Sequence, residues 1–169
     1  MNYFRTFLTS LLTLVFIAAL PLRSAAQPAP EANALGVRIT GNMNAAIDFP
    51  GAGAELSYQR FIGPRTRIEV DLGTRIHDYY ADTKKFKLDA MFATSFQWRW
   101  PVGRTAGFYA GPVLQFGRPD YALGLGVQTG FDWQFNGPLQ LSVDARPTYN
   151  WFLYNHFDAC IGVGLRYLF

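Results

Sequence analysis

Two histidines stand beside acids: His77 directly precedes Asp78, and His156 lies two residues before Asp158. With a serine in reach, such a pair would supply the nucleophile, base and orienter of acyl transfer or ester hydrolysis. The available serines are Ser57, Ser95 and Ser142. In the strand pattern set out below, both histidines fall at the same end of their segments. Ser142 lies about seven residues from that end of its own segment, roughly 20 Å at about 3.3 Å per residue. Ser57 and Ser95 also fall in the far half, and no His-x-Ser motif occurs. The geometry fails before protonation is considered, so no catalytic residue is assigned. A metal site is not assigned either, because the two histidines would sit on strands that are not neighbours. No cofactor is expected. Cys160 is the single cysteine; it cannot close an internal disulfide and reads as a small filler.

A larger constellation is made by charges that share one parity. Within eight alternating segments the polar parity holds Arg38, Arg67, Arg75, Lys87, Arg99, Arg146 and Arg166, and also Glu55, Glu69, Asp71, Asp89, Asp132, Asp144 and Asp158. Seven cations thus face seven anions, whereas the oily parity carries only Arg60, beside a turn. Side chains two apart on a strand share a face, so these fourteen charges line one surface. If that surface is enclosed they must pair, because an unpaired buried charge is costly. A charge-selective pore would instead need a ring of one sign.

The segments that would carry them are strands of period two. They run at about 34–43, 53–62, 66–77, 85–100, 106–116, 121–135, 139–149 and 157–169. Gly63-Pro64-Arg65, Pro101 to Arg104 and Asn136-Gly137-Pro138 read as tight turns. Polar or aromatic loops are expected near 43–52, 78–84, 117–120 and 150–155. Segment five is the weakest, since Pro112 removes a ladder donor in mid-strand. An even strand number and short connections predict antiparallel neighbours.

Residues 1–26 read as a cleaved signal peptide. Arg5 leads an apolar run from Phe7 to Leu20, and Ser24 and Ala26 precede the cut. Removing them takes away Arg5 and Arg23 and no acids, so 15 basic against 12 acidic residues becomes 13 against 12. The basic balance therefore loses its meaning, and with it a nucleic-acid partner. Residues 27–33 read as a short linker and 34–169 as one domain. No later stretch has 18 continuous apolar residues, so any membrane crossing must use strands.

Alternation alone does not say which face is outside. A lipocalin-like barrel would enclose the oily face; a membrane barrel would show it to lipid. The glycines Gly73, Gly111, Gly124, Gly126, Gly130, Gly162 and Gly164 lie on the charged parity, where they make room in a narrow interior. Aromatics of the oily parity gather at segment ends. Trp98, Trp100, Trp133 and Phe135 lie by the turns, with Phe86, Phe116, Tyr121 and Tyr149 at the opposite ends. That is the arrangement of two interfacial girdles.

The last segment, Phe157 to Phe169, alternates throughout and ends on Tyr167-Leu168-Phe169. Here the sequence resembles the bacterial outer-membrane β-barrel family, in particular its small OmpX-like and OmpA-barrel-like members. The resemblance covers 34–169 and rests on architecture and the terminal strand, with no diagnostic motif. It implies an all-β, eight-stranded antiparallel up-and-down transmembrane β-barrel in the outer membrane. It implies contact with outer-membrane lipid, the three turns and both termini in the periplasm, and Tyr167 and Phe169 as a signal read by the barrel-assembly machinery. Members with lipid-modifying activity use His, Ser and an acid in an arrangement this chain lacks. The family's outer loops are usually long, and these are short. The expected function is a structural or surface-interaction protein with a plugged lumen and no named extracellular ligand. A small-solute channel, a secreted ligand-binding barrel and a lipid-modifying enzyme are the alternatives, in that order.

Overall fold

The computed structural model describes residues 33–44, 51–78, 86–117, 122–151 and 156–169. Eight strands form one closed antiparallel barrel: β1 (Asn33–Asn44), β2 (Gly51–Phe61), β3 (Thr66–Asp78), β4 (Phe86–Val102), β5 (Ala106–Gly117), β6 (Ala122–Gln134), β7 (Leu139–Trp151) and β8 (His156–Leu168). Each strand pairs with its sequence neighbours, and β1 closes on β8. The signal peptide, most of the linker and most of the four expected outer loops lie outside the described residues.

The pairing fixes the tilt. From Ala34 the partners run to Gln59, Glu69, Ser95, Val113, Gly126, Thr148 and Asp158, and return to β1 at Asn44, ten residues from the start. With about 3.3 Å per residue and about 4.7 Å between strands, that stagger tilts the strands by about 40° and sets a backbone radius of about 8 Å. Such a lumen has room for side chains and little else.

The segments hold with small shifts at their ends. β1 begins at Asn33, one residue inside the expected linker, because Asn33 and Phe169 exchange both backbone hydrogen bonds (3.0 and 2.8 Å) and close the barrel. β4 continues through Pro101 to Val102, and its turn is placed later, with Gly103 at φ +74°. Trp151, expected in an aromatic loop, is the last residue of β7 and pairs with Leu123. Pro112 does sit within β5. It is aligned with Val127 of β6, but the ladder to β4 skips from Val113 to Ala110. Pro147 of β7 does the same toward β6, where the pairing skips from Thr148 to Ala145. Each proline therefore costs the ladder on one side only, without changing the register.

The burial pattern settles the orientation of the two faces. Val37, Ile39, Leu56, Leu88, Ile161 and Val163 are exposed, Ile39 by 68%. Arg38, Arg67, Glu69 and Asp132, from the other parity, are fully buried. The oily face is outside, which excludes a lipocalin-like cavity lined by it. Each residue advances about 2.5 Å along the axis at this tilt. The ten residues from Trp98 to Leu88 on β4 thus span about 25 Å, the height of the apolar band on a membrane barrel.

Candidate functional site: an ion-pair network across the lumen

The network begins from strand parity: alternate residues of every strand must point into a space about 8 Å in backbone radius. Arg38 of β1 donates through Nη1 to Glu55 Oε2 at 2.6 Å, and through Nη2 and Nε to the Asp144 carboxylate. Arg146 of β7 reaches across the lumen to β3, diametrically opposite. There it donates to Glu69 Oε1 at 2.8 Å and to Asp71, and it also contacts Glu55 at 3.4 Å. Glu69 is the hub. It lies 3.3 Å from Arg166 Nη2 and accepts from Gln59, from Gln97 (3.4 Å) and from Gln128 (3.0 Å).

Toward the rim that carries the termini, Asp132 is shared by two arginines. Arg67 Nη1 approaches it at 2.7 Å and Arg99 Nη2 at 2.7 Å. The Arg67 guanidinium also donates to Gln97 Oε1 at 2.6 Å and lies 4.2 Å from the centre of the Tyr109 ring. Tyr109 is itself fully buried and donates its hydroxyl to Asp144 at 3.2 Å. At the opposite end, Arg75 of β3 donates to Asp158 of β8 at 2.9 Å. Asp89 is half-buried in the same lumen, while the Lys87 side chain lies outside the described residues.

Glycines accommodate the guanidinium groups. A Cβ on Gly162 would lie 2.2 Å from Arg38 Cζ, and one on Gly107 would lie 2.6 Å from Arg99 Nε. Gly111 serves the backbone instead: its Cβ would strike the Phe96 carbonyl at 1.8 Å, beside the gap made by Pro112.

The serines considered as nucleophiles accept hydrogen bonds from this network. Arg166 donates to Ser57 Oγ at 2.9 Å and to Ser142 Oγ at 2.5 Å, and Gln97 donates to Ser95 Oγ at 2.7 Å. The side chains of His77 and His156 lie outside the described residues, on β3 and β8. β3 and β8 are not neighbours in the barrel, as expected, yet side chains from them do meet. Arg75 and Asp158 bridge them because the lumen is narrow enough for side chains to cross it. Among the described residues no His, Cys, Asp and Glu group is arranged to hold a metal ion.

Reasoning from charge alone missed Gln59, Gln97, Gln128, Tyr109, Ser57 and Ser142, which supply bonds the carboxylates and guanidiniums need. Their signal was present, since all share the lumen parity. Cys160 is buried and unpaired, and Leu168 and Ala34 fill the lumen near the terminal rim.

On the outer surface, Trp100 and Phe108 approach with centroids 5.6 Å apart, Phe108 and Phe131 at 5.3 Å, and Phe131 and Trp133 at 6.1 Å. This row crosses β4, β5 and β6 near the turns. Trp98 packs edge-on against Phe96, and Phe135 and Tyr167 are exposed at the same rim.

Neisserial surface protein A superposes with a TM-score of 0.62 at 18% identity, over 81% of this chain and 96% of that one. Outer membrane protein H from P. aeruginosa gives 0.58 at 12% identity, over 82% and 99%. A transmembrane β-barrel designed de novo gives 0.56 at 12% identity, over 82% and 97%. The fold is that of the small outer-membrane β-barrels. No protein-family model and no curated protein sequence matches the chain. The same fold recurs in a designed chain, so it does not itself carry a function, which must be argued from the site.

Proposed function

We propose that this protein is an integral outer-membrane barrel whose lumen is closed by its own ion pairs. In this reading it acts as a membrane-embedded structural or surface-interaction protein, neither a pore nor an enzyme. Arg146 carries the reading: it spans the lumen from β7 to Glu69 and Asp71 on β3 and is 1% exposed. A hydrated ion would have to displace groups held at hydrogen-bond distance on both sides, at the cost of leaving buried charges unpaired. Residues 1–26 serve as the export signal. The outer-membrane lipid meets the exposed apolar belt, with Trp98, Trp100, Trp133 and Phe135 at the periplasmic interface. Tyr167 and Phe169 serve the barrel-assembly machinery, and any extracellular ligand would meet the outer rim.

Single-channel recording tests this. The mature chain is folded in detergent, checked by its heat-dependent gel shift, and inserted into a planar bilayer. The expected result is a silent bilayer from a demonstrably inserted barrel. Reproducible unitary steps would overturn the closed lumen and make the protein a small-solute channel.

A further inference from the structure

Between the β4–β5 turn and the β6–β7 turn lies an open pocket of about 440 Å³ at the rim that carries both termini. Its wall includes Arg104, Thr105, Gln134, Phe135, Asn136 and Gly137, and contains no carboxylate. The two turns are clamped together: the Gln134 backbone N–H donates to the Thr105 carbonyl at 2.7 Å. Gly137 holds φ at +124°, a conformation that L side chains rarely adopt, so the second turn depends on a glycine there. Arg104 is exposed, and none of the described ion pairs engages it.

The row of rings from Trp100 through Phe108 and Phe131 to Trp133 lies on the outer surface of β4, β5 and β6, the strands that end in these turns. Phe135, half exposed and part of the pocket wall, lies two residues beyond Trp133 and so shares its outward parity. A cationic, hydroxyl-bearing and amide-bearing pocket therefore adjoins an apolar shelf. That combination fits an amphiphile with a negative head and acyl tails, and fits neither a free anion nor a neutral solute as well.

We propose that the pocket formed by Arg104, Thr105 and the Asn136-Gly137 turn binds the phosphodiester headgroup of an anionic phospholipid, with an acyl chain passing over the Trp100–Trp133 ring row toward the bilayer core. The proposal rests on the membrane-spanning reading above. It adds a single defined site where that reading requires only a nonspecific lipid annulus. Arg104 supplies the charge and Thr105 a hydroxyl donor, and the rings exclude water from the glycerol side.

Tryptophan quenching by brominated lipid tests it. Trp98, Trp100 and Trp133 stand at this rim, and Trp151 ends β7 at the other. The folded full-length mature chain is reconstituted in phosphatidylcholine vesicles containing a small fraction of brominated-chain phosphatidylglycerol, or the same fraction of brominated phosphatidylcholine. One guanidinium at a membrane surface favours an anionic lipid by about fivefold, so that is the expected excess association of phosphatidylglycerol. Arg104→Gln should bring the ratio to about one, while Arg65→Gln, in the exposed β2–β3 turn, should leave it near the wild-type value. Equal loss in both variants would reveal diffuse rim electrostatics and overturn the site. Equal quenching by the two headgroups in the wild-type protein would also overturn it, leaving the membrane barrel intact. Absence of quenching by either lipid would instead remove the membrane-spanning reading on which it rests.

Discussion

Gly162→Ala tests whether the lumen is a rigid ion-pair lattice or an adaptable polar filling. The added Cβ would sit 2.2 Å from Arg38 Cζ and Nη2 and 2.3 Å from Nε. Reaching ordinary contact at about 3.4 Å requires the guanidinium to move by about 1.2 Å, because an interior packed to crystal density leaves no slack. A shift of that size along the Glu55 contact, now 2.6 Å, would lengthen it to about 3.8 Å, beyond hydrogen-bond range. Arg38 is fully buried and also bound to Asp144, so it has no solvated position to retreat to. Losing one partner of a buried pair outright costs about 3–5 kcal/mol, and stretching this one should approach that figure; simple overpacking of a pliable core would cost about 1–3 kcal/mol. Gly41 supplies the control. It lies on β1 opposite Ile161, faces outward, and has nothing within 4 Å of its would-be Cβ. Gly41→Ala should be neutral or stabilising by up to about 1 kcal/mol, since alanine loses less backbone freedom on folding. Urea titration of the barrel in lipid vesicles, read by tryptophan fluorescence and the gel-mobility shift, gives both values. The Arg38→Gln background should reduce the Gly162→Ala cost to below about 0.5 kcal/mol, as expected when the clashing partner is gone. Equal stability of Gly162→Ala and Gly41→Ala would refute the rigid lattice.

Other substitutions separate the remaining interactions. Tyr109→Phe keeps the ring on Arg67 and loses only the bond to Asp144, so it should cost about 1 kcal/mol; Tyr109→Ala should cost about 3–5 kcal/mol by the same titration. Val37, 59% exposed at mid-strand, should lose about 2–4 kcal/mol as Val37→Arg in a bilayer, and a barrel with a water-facing exterior would not show that penalty. Phe169→Ala keeps the two backbone bonds to Asn33. In vitro folding should therefore be near normal while assembly in cells falls, measured as the heat-shifted fraction in isolated membranes; parallel loss in both would make Phe169 structural rather than a signal.

The fold was legible because one simple rule governs it. Period-two alternation survives in every strand, including β5 with Pro112, and a register slip of one in any strand would turn that strand's lumen charges to the outside. What parity does not encode is who pairs with whom. Arg146 meets Glu69 and Asp71 four strands away, and that choice depends on the ten-residue stagger, which no local pattern reveals. By sequence Pro112 makes β5 the weakest segment, yet Pro112 and Pro147 each interrupt only one ladder. A strand has partners on both sides, and a missing N–H affects only the side toward which it would point. The glutamines carry no charge, so a charge pattern does not point to them. A carboxylate has about four acceptor sites, so Glu69 uses neutral donors where a further arginine would not fit.

The placement of the charges along the barrel gives the proposed closure of the lumen its physical sense. Near the terminal rim lie three cations, Arg67, Arg99 and Arg166, and one anion, Asp132, which pairs with the first two. In mid-barrel the order inverts: Arg38 and Arg146 are set among Glu55, Glu69, Asp71 and Asp144. Neither layer is neutral alone, and the Arg166–Glu69 contact at 3.3 Å braces one against the other. An entering anion would be attracted by the first layer and repelled by the second, and a cation would meet the reverse. A lumen with one sign throughout would select and conduct; one with two opposed layers rejects both signs. Weakening the brace should therefore destabilise the barrel without opening a path, because each layer still opposes one class of ion. Arg166→Met tests this: lower urea resistance with a silent bilayer fits two opposed layers, and conductance in that single variant would show that the brace alone had kept the lumen shut.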